Sequence, residues 1–286
     1  MKKDLNKKFA NQYYDVRSAI YSLLIFTSLL FLLNLKNFNI ESGLYFIILV
    51  GLFLASLSEY LFSIAAAGKK YHYDHPLRDL YLKIRKHHAY NIILLPVIQY
   101  LVCAGIIYYS NDIPLSVAVV FLTSVMSYFT FYLYKDIYHQ DLRKNELIED
   151  FFDASRYLSF SFIVYLGITL QTLDQLPKSF LAILLGLIQY IYFISMVWRR
   201  EVINYKNLAI GLILSILMSG FIYFLLSIFE SQRAIIALTI TAQIVLWDYV
   251  MTSLFVRWTQ KKLDYLIVLE YLLVAMIAVF LLFFSK

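Results

Sequence analysis

Three carboxylates fall inside stretches that are otherwise apolar: Glu59, Asp248 and Glu270. A lone charge at mid-span costs roughly 2.5–3.5 kcal/mol on insertion scales, so each is expected to face protein or water rather than lipid tails. At 1.5 Å rise per residue, all three lie about 9–12 Å from one end of their helices. Acids at one level in three helices suggest the lining of a polar cavity open to one face of a membrane. The plainer alternative is that each pairs with Tyr, Ser or Gln neighbours inside the bundle.

A second group occupies residues 68–79, which read Gly-Lys-Lys-Tyr-His-Tyr-Asp-His-Pro-Leu-Arg-Asp. Here Asp74 and Asp79, with His72 and His75, offer metal-ligand chemistry, although His-x-x-His on a short loop fixes no geometry. Five histidines in the whole chain are too few for a hydroxylase-type diiron cluster. Together with Lys69, Lys70 and Arg78, the same segment suits a phosphate or diphosphate, which charge-assisted hydrogen bonds hold well. The adjacent pair Arg199 and Arg200 makes a second basic point, suited to a phosphate or to anionic lipid. Against both stands the simpler reading of interfacial loops whose cations only set topology. No Gly-x-Ser-x-Gly, Walker A, His-Glu-x-x-His or Cys-x-x-Cys pattern occurs, which removes the common hydrolase, NTPase, zincin and thioredoxin readings.

The elements that must position these residues follow from composition. The 286 residues are 61% hydrophobic and 15% charged, with a mean hydropathy of +0.69. Water-soluble domains run nearer ~45–50% apolar and ~25% charged. The balance excludes a disulfide scaffold, a disordered tail, a soluble dinucleotide-binding enzyme and a zinc finger. Crossing ~30 Å of hydrocarbon takes roughly 20 apolar residues. Nine runs qualify: 18–35, 43–67, 89–109, 113–134, 157–173, 179–197, 208–228, 234–256 and 264–285. They are unbroken rather than alternating, so they predict helices, not barrel strands. The fold class expected is all-α: one polytopic integral membrane bundle over 1–286, with a short cytoplasmic segment at 1–17.

Orientation follows from the basic residues. With the N-terminus in the cytoplasm, 21 of the 25 Lys and Arg fall on the inner side and 4 on the outer. That asymmetry predicts N-in, C-out, and it absorbs most of the +6 net charge without invoking nucleic acid. Arg156 counts among the inner-loop cations. The longer polar segments, 68–88 and 135–156, then face the cytoplasm, so any chemistry is expected there. Residues 135–156, which mix acids and bases, read as a solvated amphipathic helix. A cell-membrane, multi-pass location follows, with membrane lipids as the surrounding partners.

Nine helices with polar loops after the second, fourth and sixth resemble the UbiA-type polyprenyltransferase superfamily. The local stretches that carry the resemblance are Asp74-His75-Pro76, Tyr134-Lys135, residues 149–156 (Glu-Asp-Phe-Phe-Asp-Ala-Ser-Arg) and Trp198-Arg199-Arg200-Glu201. In that family aspartates hold Mg²⁺ against a prenyl diphosphate. The stretch from Ser63 to Tyr71 lacks them, which leaves Asp74 and Asp79 as the nearby carboxylates. The resemblance implies a cytoplasm-facing cavity that binds a polyprenyl (di)phosphate and transfers its prenyl or a related group. Asp74 and Asp79 would then be catalytic Mg²⁺ ligands, and Lys69, Lys70, His75, Arg78, Arg199 and Arg200 would contact the substrate. The other reading is a non-enzymatic permease or export subunit, partnered by a soluble ATPase, with Glu59, Asp248 and Glu270 along its pathway. A third is a catalytically inactive lipid-binding relative.

Overall fold

A computed structural model of the chain describes residues 2–37, 47–48, 50–52, 54–55, 89–110, 112–139, 146–199, 204–229, 234–261 and 263–284. Among them every regular element is a helix and none is a strand. Eight helices are delimited: α1 (Lys2–Asn37), α2 (Ala89–Tyr109), α3 (Ile113–His139), α4 (Glu146–Thr172), α5 (Lys178–Arg199), α6 (Tyr205–Ile228), α7 (Ala234–Thr259) and α8 (Tyr265–Phe284). Residues 47–48, 50–52 and 54–55 are helical as well. The all-α, membrane-type expectation holds. Among the described residues five helices are long and apolar enough to cross a bilayer, over Ser18–Lys36, Ile113–Tyr132, Lys178–Val197, Tyr205–Ile228 and Ile236–Thr259. Two shorter apolar stretches, Pro96–Tyr109 and Tyr265–Leu281, lie in α2 and α8.

Local sequence explains where helices begin. Asp112 caps α3 by accepting from the Leu115 amide at 3.1 Å, and Asn204 caps α6 by accepting from the Asn207 amide at 2.7 Å. Each side-chain oxygen thereby satisfies an amide that has no partner within its own helix. Asp174, in the turn after α4, and Lys261, in the turn after α7, take φ of 55° and 56°. Aspartate tolerates that left-handed conformation better than most residues. Two boundaries differ from the sequence reading. Helix α1 does not stop at Arg17 but is continuous from Lys2, so its 36 residues extend about 54 Å, well beyond a hydrocarbon layer. The segment read as an amphipathic helix over 135–156 is likewise not separate at its end: residues 146–156 continue into the next apolar run as α4.

The chain divides into two compact units, Met1–Ser155 and Arg156–Lys286, and the division falls within α4. In the first unit α1 packs on α3, and both touch α2. Hydroxyls stitch these contacts: Ser22 donates to the Ser124 carbonyl at 2.7 Å, and the Tyr100 and Ser127 hydroxyls meet at 3.0 Å. Along α3, Ser124, Ser127 and Thr130 donate back to carbonyls four residues earlier, which is how a hydroxyl is satisfied where no water reaches. Gln99 of α2 is fully buried and donates to the Ser155 hydroxyl at 2.9 Å.

In the second unit α5 packs on α6, α6 on α7 and α7 on α8. The core gathers Phe193, Met196, Val197, Phe255 and Val256, with Ile210 and Leu214 against it. Small residues set the spacing of α5 and α6. A methyl group on Gly186 would strike the Ser219 side chain and lie 3.0 Å from the Ser215 carbonyl, and one on Gly211 would strike the Phe193 ring. Lipid tails are as apolar as leucine, so helix association within a bilayer depends on such close backbone approach.

Candidate functional site

Several polar residues buried in the second unit are joined around Asp248. Asp248 lies near the middle of α7 and is 3% exposed. Its Oδ1 accepts a hydrogen bond from Nε2 of Gln189 on α5 at 3.0 Å. The Gln189 Oε1 accepts in turn from the Ser215 hydroxyl on α6. A hydroxyl can give its proton only to the carbonyl end of an amide, so Ser215 turns the NH₂ end of Gln189 toward the carboxylate. Three helices thus meet through one amide.

Arg156, at the start of the α4 portion in this unit, is 4% exposed and donates from Nη1 to the Tyr192 carbonyl at 3.4 Å. Its guanidinium carbon sits 4.2 Å from the centre of the Tyr157 ring, within cation–π range. Arg156 and Asp248 are thus two oppositely charged side chains buried in the same helical unit.

Tyr157 extends the network toward α8. Its hydroxyl meets those of Thr252 at 3.0 Å and Ser253 at 2.8 Å, both on α7, and its ring stands edge-on to Tyr249 at 5.3 Å. Thr252 also donates to the Asp248 carbonyl at 2.6 Å, which keeps its hydroxyl on the same side of α7 as the carboxylate. The Tyr249 hydroxyl then donates to Oε1 of Glu270 on α8. Polar groups therefore run from the Asp248–Gln189–Ser215 centre to the outer surface of α8.

The structure accordingly places Asp248 and Glu270 in adjoining layers but in different surroundings. Asp248 is enclosed between helices, whereas Glu270 is exposed on the outer face of α8. Glu59, Lys69, Lys70, Asp74, His75, Arg78, Asp79 and Arg200 lie outside the described residues, as does the side chain of Arg199 at the end of α5. Among the described residues no group of three or more His, Cys, Asp or Glu is arranged to hold a metal ion.

Sequence reasoning passed over Arg156, Tyr157, Gln189 and Ser215. In the sequence Arg156 stands with the cytoplasmic-loop cations because the apolar run begins one residue after it. The signal that points to Gln189 is its amide in mid-run, where a group able to give and take hydrogen bonds has no reason to face lipid. No family model, curated protein or solved structure matches this chain.

Proposed function

We propose that this is a multi-pass cell-membrane protein of nine spans, N-terminus inside and C-terminus outside, whose second helical unit moves a small charged solute. Asp248 and Arg156 are the buried charges on its path, and a soluble ATPase docking on the cytoplasmic segments 68–88 and 135–156 would make it a permease subunit. The observation that carries this reading is the buried carboxylate of Asp248, held by Gln189, in the same unit as the buried guanidinium of Arg156. Each such ion costs roughly 2.5–3.5 kcal/mol at the centre of a membrane, and intramembrane ions characteristically line the route of a substrate or coupling ion. The test is flux across liposomes holding the purified protein, with imposed H⁺, Na⁺, K⁺ or Cl⁻ gradients. Wild-type protein should carry at least one of these, and Asp248→Asn should abolish the flux while leaving the fold intact. Leakage no greater than that of empty liposomes under all four gradients would end the proposal.

A second reading follows the UbiA-type resemblance: a polyprenyl (di)phosphate bound from the cytoplasmic side, with Mg²⁺ held by Asp74 and Asp79. Lys69, Lys70, His75, Arg78, Arg199 and Arg200 would contact the phosphates. The observation that favours it is that Arg156, the last residue of one stretch carrying the resemblance, is buried in a bundle beside Tyr157 and Tyr192. A guanidinium at that depth suits an anionic headgroup drawn below the interface. Detergent-purified protein should then show Mg²⁺-dependent loss of a polyprenyl diphosphate, and Asp74→Ala should stop it. No turnover at any chain length would rule this reading out.

A further inference from the structure

Among the described residues the Asp248 carboxylate takes one side-chain hydrogen bond, from Nε2 of Gln189 at 3.0 Å. At the other end of that amide, the Ser215 hydroxyl has two acceptors within reach: Oε1 of Gln189 and the Gly211 carbonyl, the latter at 3.0 Å. A hydroxyl carries one proton, so it serves one of them at a time. All three side chains are buried, where an orphaned polar atom is costly, so donors and acceptors must match.

Two patterns satisfy every one of these atoms. With Asp248 ionised, Gln189 donates to the carboxylate and Ser215 donates to Oε1. With Asp248 protonated, its own O–H donates to Oε1, the turned amide donates to the Ser215 oxygen, and Ser215 donates to Gly211. One proton from water is gained on a carboxylate oxygen and no other bond to hydrogen breaks. The amide exchanges its ends by a half-turn about its terminal torsion, whose preferences are roughly two-fold. A divalent cation has no comparable place, since it takes about six or more oxygen ligands.

We propose that Asp248 is a proton-binding site, and that Gln189 turns over as the proton comes and goes, passing the change to Ser215 on α6. Titratable groups linked to this centre by hydrogen bonds or ring contacts are Arg156 and Tyr157 on α4, Tyr192 on α5, Tyr249 on α7, and Glu270 and Tyr271 on α8. Those of α6, Tyr205, Lys206 and Tyr223, stand at least eight residues from Ser215. Arginine stays charged and tyrosine neutral below about pH 10, so Glu270 is the other carboxyl to tell apart from Asp248. That the proton also drives a solute through the second unit rests on the function proposed above; the protonation itself does not.

Infrared difference spectra of the full chain in phosphatidylcholine vesicles, with isotope-labelled glutamine, read both groups at once. Across a titration from about pH 4 to about pH 10, the wild type should gain the C=O stretch of a protonated carboxyl. Glu270→Gln should keep that band, Asp248→Asn should lose it, and Asp248→Glu should restore a titrating one. A labelled amide band should shift with the same midpoint, and Gln189→Met should remove it. In Asp248→Asn, whose NH₂ donates as a protonated carboxyl does, the amide band should hold its acid position at every pH. Absence of any Asp248-dependent carboxyl band would overturn the proposal, as would an amide band that stays still while the carboxyl titrates. Loss of the carboxyl band on adding Na⁺ or K⁺ at fixed pH would also overturn it, as the mark of a metal-ion site. Both bands titrating together in vesicles that pass no ion would support this site and end the transport reading alone.

Discussion

Gln189 on α5 donates to Asp248 on α7 at 3.0 Å, joining residues 59 apart in the chain. Ser215 on α6 fixes which end of the amide faces the carboxylate. The geometry is that of a carboxylate held ready in a dry interior, and it makes the second unit depend on a few polar contacts for its register.

Breaking the buried charges singly should therefore be expensive. Asp248→Leu should lower unfolding free energy by about 1–3 kcal/mol, because it leaves the buried Gln189 amide without its acceptor. Combining it with Arg156→Met should recover part of that loss, with a coupling of about 0.5–3 kcal/mol. Denaturant unfolding in detergent micelles, followed by tryptophan fluorescence, measures both. Strict additivity would show that the two groups do not act as a pair.

The α5–α6 approach should be sensitive to side-chain volume at one glycine and indifferent at another. Gly186→Leu should cost about 1–3 kcal/mol, since its side chain meets Ser219 and the Ser215 carbonyl. By separating the helices it should also pull Ser215 away from Gln189. Gly220 has open space around it, and Gly220→Ala should be neutral or gain about 0.5–1 kcal/mol from helix propensity. Thermal unfolding of the two variants side by side distinguishes a packing effect from a general intolerance of substitution.

At the start of α6, Asn204→Ala should remove the cap on the Asn207 amide. The expected cost is about 0.5–2 kcal/mol, confined to the first turn. Hydrogen exchange read residue by residue should show faster exchange at residues 205–208 and unchanged protection in the middle of the helix.

Topology can be read with thiol chemistry, because the chain's one cysteine, Cys103, is fully buried. The native protein should resist a membrane-impermeant maleimide until it is unfolded. In sealed cells Asp174→Cys should label from outside, and Lys261→Cys only after permeabilisation. The reverse pattern would invert the proposed orientation.

How much of this was legible in the sequence is clearest at particular residues. The apolar runs 113–134, 179–197, 208–228 and 234–256 reappear as helices α3, α5, α6 and α7 with ends shifted by a few residues. Hydrogen-bonding need alone forces an apolar run in lipid to be helical, whatever it packs against. Asp248 was recognisable for the same reason, as a charge whose surroundings are all apolar. Its partners were not. Gln189, Ser215 and Arg156 belong to helices whose order and rotation come from packing, and hydropathy along one chain carries no angle between helices.

Arg156 and Glu270 show the division most directly. One stands at the edge of an apolar run and is buried; the other stands inside a run and is exposed. Sequence determined that Glu270 lies within an apolar run and Arg156 just before one, because the extent of a run is a local quantity. Tertiary structure alone decided which of them turns inward, because that depends on where neighbouring helices place their glycines, tyrosines and amides.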